Sequence, residues 1–302
     1  MNRFFARLGL HMFSLIVKVI PWPWLYGFAN GMGAISYRLI SRQRKVALES
    51  LFQAFGKEKT SQEREKIAKD CFIYLGKSGL EIMFSLNRPH LIEERIQIVG
   101  KEHLDRALAA GRGVILVSAH FGNFPLMLAK LSLSGYKVAG IMRPMRDARA
   151  EKMFLGARDR FHVKTIYSQP RAVCINKTLG ALRNNELVFI PMDQNFGTGG
   201  VFVDFFGKKA ATATGPVVLA KRTQAAIVPC FIVRQPDDRH KVIIEPSLAL
   251  EEGKDAQESL LINVQRLTHI IEAYIRRYPA EWGWIHRRWK SRPQFTSPQK
   301  SG

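Results

Sequence analysis

Negative charge is what this sequence is shortest of: 25 Asp and Glu stand against 46 Lys and Arg in 302 residues, leaving +21. So strong an imbalance biases the surface toward anionic membrane, polyanions or an acidic protein partner. Cysteine is rarer still. Cys71, Cys174 and Cys230 are far apart, odd in number and form no Cys-x-x-Cys pair. That excludes a disulfide framework or a cysteine-held zinc, and suits a reducing cytosol with all three as small buried hydrophobes. The eight histidines show no His-Glu-x-x-His or similar spacing, so no metal is expected. Also missing is any unbroken apolar run of the ~20 residues that a clean membrane span needs. Pro21, Pro23, Gly27, Gly31 and Gly33 punctuate the most apolar stretch, Phe4 to Ile40. It lacks the small-residue cleavage site of a secretory signal and is expected to stay in the mature chain. Gly197-Thr-Gly-Gly200 has neither Gly-x-Gly-x-x-Gly nor a Walker lysine, which argues for a mobile lid over a nucleotide loop.

What is present suffices for one large domain, because 46% apolar residues over this length bury a sizeable core. Residues 1–40 read as a helical membrane-associating segment, in the interface or inserted once, with Trp22, Trp24 and Tyr26 at headgroup depth. Nine Lys or Arg against two Asp or Glu in residues 1–60 direct it to an anionic cytoplasmic leaflet. A two-helix hairpin packed on the core is the alternative. Residues 41–90 read as helices with charged faces. Thr60-Ser-Gln-Glu63 spells a capping box, and Ile67, Cys71, Tyr74, Leu75, Ser78 and Ile82 recur near helical spacing, with Glu81 near the helix end. Apolar β-type runs near 113–119, 137–142, 187–192, 227–233 and 241–245 then alternate with helical stretches. An amphipathic helix from Glu258 to Arg277 and a frayed polar tail over 291–302 follow. The alternation predicts an α/β fold over 41–290, a mostly parallel central sheet flanked by helices.

His120 carries the most chemistry. The run Gly113–Ala119 delivers it into Phe-Gly-Asn-Phe-Pro125, ahead of a helical stretch, and ligands of open α/β sheets gather at carboxyl strand ends. An imidazole of ordinary pKa about 6.5 is a general base there; a histidine that merely caps the strand is the alternative. Gly122 and Asn123 are candidate oxyanion donors, glycine through close backbone approach and asparagine as N-cap of the helix. Arg143 ends the run 137–142, and its donor fork suits a phosphate. Asp193-Gln194 ends the run 187–192. Trp282-Gly-Trp284-Ile-His-Arg287-Arg288-Trp289 holds three of the five tryptophans. Either these pack on the sheet with Arg287 and Arg288 toward phosphate, or the block meets the bilayer. Interleaved aromatic and basic residues also suit single strands, but no nucleic-acid module is visible and no such partner is expected.

His120-Phe-Gly-Asn, Arg143-Pro144, Pro191-Met-Asp193-Gln194, Phe205-Phe-Gly207, Thr214-Gly-Pro-Val-Val-Leu-Ala220 and Trp282–Trp289 fall in the order and spacing of one family. The chain resembles the late acyltransferases of lipid A biosynthesis, from its N-terminal segment to about Lys290. The resemblance implies a glycerophosphate acyltransferase-like fold at the cytoplasmic face of a bacterial inner membrane. It implies transfer of a fatty acyl chain from acyl carrier protein, as thioester co-substrate and with no other cofactor, to a hydroxyl of a lipid A precursor or related phosphorylated glycolipid. It assigns His120 as base, Arg143 to substrate binding, and Asp193-Gln194 to an acceptor-side or structural role. A lysophospholipid, aminolipid or phosphatidylinositol mannoside acceptor, a non-catalytic lipid-binding role and, remotely, RNA binding stay open. The family's first motif is His, four residues, then Asp or Glu, and here that last position is Pro125. Proline is tolerated in a first helical turn, so the scaffold is expected to survive while another group orients the imidazole. Asp193 is the leading substitute, ahead of Glu81, Asp204 and a backbone carbonyl.

Overall fold

The computed structural model describes residues 22–86, 88–145 and 147–293. Strands are numbered along the chain. Ile96–Val99 (β1) is followed by Val114–Ser118 (β2), which is buried at every position as a strand covered on both faces requires. β2 runs parallel to Leu187–Pro191 (β5) on one side and to Ala226–Arg234 (β8) on the other. Val138–Met142 (β3) and Val163–Tyr167 (β4) extend the parallel set beyond β5. On the far flank His240–Ile244 (β9) is antiparallel to β8 and parallel to β1. The order β1-β9-β8-β2-β5-β3-β4 is the expected mostly parallel sheet. A separate hairpin, Val201–Phe205 (β6) with Lys208–Thr212 (β7), turns at Phe206 and Gly207 with φ 54° and 68°, as a two-residue hairpin of the I′ kind demands.

The helices are Trp22–Leu39 (α1), Ser41–Phe55 (α2), Ser61–Ser85 (α3), His90–Arg95 (α4), Lys101–Ala109 (α5), Phe124–Leu133 (α6), Ala148–Arg160 (α7), Arg171–Arg183 (α8), Gly215–Thr223 (α9) and Ala256–Arg277 (α10). Both ends of the expected capping box are made at Thr60 and Glu63, so α3 starts where the sequence says. Along β2, Ile115 and Val117 enter one core with α2, α3 and α10, while Val114 and Leu116 enter a second with α4, α5 and α6. That is the period-2 alternation of a strand with helices on both faces. Cys71 and Cys230 are buried as expected, whereas Cys174 is half-buried.

Residues 22–40 of the apolar segment behave partly as the hairpin alternative. α1 lies on α3 with Leu25, Ala29 and Tyr37 buried, and a Cβ on Gly33 would stand 2.4 Å from the Ile73 Cα, so glycine permits the crossing. Packing is therefore continuous across the boundary drawn at residue 40. Tyr26, expected at headgroup depth, turns inward and donates to Glu81 at 2.9 Å. Trp24, Ile35 and Leu39 remain exposed. The first 21 residues of that segment lie outside the described ones. Among the described residues no helix is long and apolar enough to cross a membrane. Of the tail, Ser291 is tied to Asn195 by bonds of 3.1 and 3.3 Å, and residues 294–302 lie outside the described ones.

Candidate active site

The register of two central strands builds the site. Ser118 of β2 pairs with Pro191 of β5, and two residues further along each chain stand His120 and Asp193. His120 Nδ1 donates to Asp193 Oδ1 at 2.8 Å, and Trp282 Nε1 donates to Oδ2 at 2.7 Å. The carboxylate is fully buried and both its oxygens are satisfied, while the imidazole is 29% exposed. Asp193 thus supplies the carboxylate that Pro125, in the first turn of α6, cannot. Glu81 and Asp204 are elsewhere: Glu81 is buried with Arg234, and Asp204 is half-exposed beside Lys209.

Burial alone would push the Asp193 carboxyl up, but the His120 charge and the donated hydrogen bonds bring it down to about 2. For His120 burial disfavours the imidazolium, yet the charge and hydrogen bond of Asp193 outweigh it and raise the pKa above the ordinary value. Donation from Nδ1 leaves the lone pair of the neutral ring on Nε2. Gln194 Nε2 lies 3.2 Å from that atom and 3.3 Å from His286 Nε2. Burial, and then the proximity of His120, lower the pKa of His286. The Phe124 ring meets His120 edge-on at 5.5 Å between centroids.

The two expected oxyanion donors are engaged elsewhere. Gly122 N–H donates to the Glu281 carbonyl at 2.8 Å, as Gly283 N–H does to His120 O at 3.2 Å, so residues 281–283 line the loop like a short extra strand. Glycine is required at 122 because φ is 55° and a Cβ would lie 2.1 Å from Ile232 O. The Asn123 side chain is buried and donates to Glu81 Oε2 at 2.9 Å and Ser78 O at 3.2 Å. It makes no cap bond to α6.

Arg288 is a strut. It is 1% exposed, and its guanidinium donates to Gln194 O at 3.2 Å and also to Ala211 O and Thr212 Oγ1. Arg143, just past β3, and Arg287 are exposed. The tryptophan block belongs to the core, not to a bilayer, with Trp282, Trp284 and Trp289 all buried. The glycine-rich segment, expected as a lid, packs against β7 at its two ends. Phe196 N–H donates to Ala211 O at 3.1 Å, and a Cβ on Gly200 would stand 2.2 Å from Thr212 O.

Sequence reasoning passed over His286, Arg234 and His240. His286 sits inside the tryptophan block with no role assigned to it. Glu81, Arg234 and His240 form a buried cluster behind the loop, in which Arg234 Nη2 donates to Glu81 Oε2 at 2.9 Å and His240 Nε2 stands 3.5 Å away. Asp238 and Lys77 join it at 2.8 Å from each other. Only the position of Arg234 at the end of an apolar run hinted at this.

A family model described as bacterial lipid A biosynthesis acyltransferase matches residues 2–291. The chain is 26% identical over 291 residues to the lipid A biosynthesis lauroyltransferase of Escherichia coli (strain K12), covering 95% of this chain and 92% of that protein. Against the lipid A biosynthesis palmitoleoyltransferase of the same organism it is 27% identical over 292 residues, 94% and 90% of the two chains. A phosphatidylinositol mannoside acyltransferase of Mycobacterium tuberculosis (strain CDC 1551 / Oshkosh) is 26% identical over 210 residues, 68% of this chain and 64% of its own. With the match running through both strands that carry His120 and Asp193, the chain belongs to the bacterial lipid A biosynthesis acyltransferase family, which makes it an acyltransferase.

Proposed function

We propose that this protein moves a fatty acyl chain from the thioester of acyl carrier protein to a hydroxyl of a lipid A precursor or related phosphorylated glycolipid, with His120 as general base. The supporting observation is the 2.8 Å His120–Asp193 pair, whose Nε2 belongs to a partly exposed ring. The neutral imidazole takes the acceptor's proton at Nε2 as the acceptor oxygen bonds to the acyl carbon. Asp193 holds the tautomer and stabilises the imidazolium. Collapse of the tetrahedral centre breaks the C–S bond, and the proton on Nε2 passes to the departing sulfur, giving an ester and a free thiol. No resident cofactor enters this scheme.

Arg143 and Arg287, both exposed, are the cations proposed to meet the acceptor phosphate. The charge of +21 suits an acidic carrier protein and an anionic bilayer. Attachment to the cytoplasmic face of the bacterial inner membrane would use α1, where Trp24, Ile35 and Leu39 fall on one helical stripe near exposed Arg38, Arg42 and Lys45. The mannoside acyltransferase relative favours a second reading, in which the acceptor is a different glycolipid.

The test is turnover by purified full-length protein of acyl-loaded carrier protein with lipid A precursor, phosphatidylinositol mannoside and lysophospholipid in parallel. Transfer to the lipid A precursor is expected, falling by about 10²–10⁴-fold in His120→Ala with an unchanged melting curve. Wild-type turnover by that variant would remove His120 as base. A wild type inert toward every acceptor would leave a non-catalytic homologue.

A further inference from the structure

The Gln194 amide sits between two imidazoles, 3.2 Å from His120 Nε2 and 3.3 Å from His286 Nε2. An NH₂ group offers two donors. His120 donates at Nδ1 to Asp193 and therefore accepts at Nε2. His286 Nε2 faces the same NH₂ group at 3.3 Å, which can only donate, so that ring nitrogen is placed as an acceptor, and burial followed by His120 lowers the His286 pKa toward the neutral ring. One amide hydrogen thus serves each histidine, and the Gln194 backbone is fixed from behind by Arg288, which donates to its carbonyl at 3.2 Å. The two donors the sequence offered nearer the strand end are engaged, Gly122 N–H by Glu281 O and the Asn123 side-chain amide by Glu81 and Ser78. Pro125 has no N–H to offer in the first turn of α6.

We propose that the Gln194 side-chain amide is the oxyanion donor of acyl transfer and that His286 is the positioning residue that aims it. This rests on the acyl-transfer reading above. An acceptor hydroxyl that hydrogen-bonds to His120 Nε2 displaces one amide N–H from that lone pair. The other N–H stays on His286, so the released donor remains beside the carbon under attack. As the C–O bond forms and the hydroxyl proton reaches Nε2, the carbonyl π pair moves onto oxygen and the freed N–H donates to it. Collapse restores C=O and expels the sulfur, which takes the proton from Nε2. Without His286 the amide can rotate and present its own oxygen to the oxyanion, which repels it.

The experiment uses the full-length protein, acyl-loaded carrier protein and the acceptor that wild type turns over best. Gln194→Ala and His286→Ala should each lower kcat by about 10²-fold with KM nearly unchanged. The double variant should lose no more than Gln194→Ala alone, because both act through one group. His286→Asn, which keeps a side-chain acceptor, should recover most of the loss. Losses that multiply in the double variant, or a Gln194→Ala effect confined to KM, would overturn the assignment. A second readout is independent of turnover. An N–H donated to Nε2 favours the neutral ring, so both alanine variants should raise the His120 pKa followed by NMR, with Asp193 and His286 the titratable groups facing that ring. If wild type is inert, the acyl-transfer reading fails and the oxyanion role falls with it, while the titration still decides whether His286 holds Gln194. A His120 pKa unmoved by Gln194→Ala would defeat the geometry itself.

Discussion

Two histidine–carboxylate pairs flank the loop that leaves β2, and their pKa values are shifted in opposite directions. His120 lies 2.8 Å from Asp193 and has a raised pKa. His240 lies 3.5 Å from Glu81, without a hydrogen-bond partner on Nε2, and its pKa is depressed to about 4. Burial is the largest influence on both rings, so the carboxylate's other commitments decide the outcome. Besides His120, Asp193 accepts a side-chain hydrogen bond from a neutral indole N–H and, among the described residues, from no arginine, which leaves its charge largely to the imidazole. Glu81 is gripped by both Arg234 nitrogens, Asn123 and Tyr26, and Arg234 itself disfavours a charged His240. Exposure follows the same division, 29% for the His120 side chain and 4% for His240. The direction in which a carboxylate shifts a neighbouring histidine is therefore set by who else holds that carboxylate.

The largest effect should come from breaking the first pair. Asp193→Asn keeps the volume but removes the acceptor that fixes the Nδ1–H tautomer, and the equivalent change in another enzyme's triad costs about 10⁴ in kcat. A similar fall in acyl transfer is expected here, with little loss of folding cooperativity; activity within tenfold of wild type would mean that the pair does not orient the base. Breaking the second pair should instead strike stability. Glu81→Ala removes the two-bond carboxylate partner of buried Arg234 and leaves it Asp238 at 3.2 Å, and removing one partner of a buried ion pair costs about 3–5 kcal/mol, readable as a lowered denaturation midpoint. Replacing both partners with apolar residues of similar volume should recover much of that loss.

A smaller effect separates the pairs by pH. With neutral His120 as the proposed base, the acid limb of kcat/KM should lie above the ordinary histidine value and move lower in Asp193→Asn. For stability the signs oppose. The raised His120 contributes stability that is full below its unfolded pKa and is lost as pH rises through the folded one. His240 takes a proton near 6.5 when unfolded but only near 4 when folded. Between those values the unfolded chain binds more protons, so acidification destabilises the fold by up to about 1.4 kcal/mol per pH unit. Denaturation from pH 7 to 4 should show a shallower decline in His240→Gln, and an identical slope would remove His240 from the account.

The His120–Asp193 pair was legible in sequence because each member closes an apolar run, and runs that become neighbouring central strands end together. β1 and β4 were not, since Ile-Gln-Ile-Val and Val-Lys-Thr-Ile-Tyr are short, half-polar edge strands. The second cluster was hidden for a physical reason. Periodicity puts charged residues on the wet face of a helix, yet Lys77 and Glu81 of α3 are buried, satisfied by Asp238 and Arg234 more than a hundred positions away. Gly122 and Asn123 have the residue types an oxyanion site needs, but their actual partners lie elsewhere in the chain, Glu281 near its far end and Glu81 42 positions before Asn123. Tryptophans beside arginines likewise fit a bilayer as well as a core, and only the carboxylate waiting at Trp282 Nε1 decides between them.

The smallest effect is expected where the family motif departs, and it sharpens the comparison most. Pro125 occupies the first turn of α6, where a missing N–H had no intrahelical partner. Glutamate there would gain about 0.3–1 kcal/mol from the helix N-terminus. It would find no free N–H on the imidazole, because Nδ1 already donates to a buried Asp193 and Nε2 must stay open for the acceptor. Pro125→Glu alone should therefore leave the rate within a few-fold of wild type or lower it, since a second carboxylate near the first raises the pKa of one of them. In Asp193→Asn the same glutamate has a vacancy to fill, and recovery of at least about tenfold is expected, dependent on His120. Steady-state rates of the two single variants and the double variant decide the matter. A tenfold gain from Pro125→Glu in the parent would show that Asp193 does not hold the ring during turnover, and the contrast between the two histidines would then owe more to exposure than to the carboxylates.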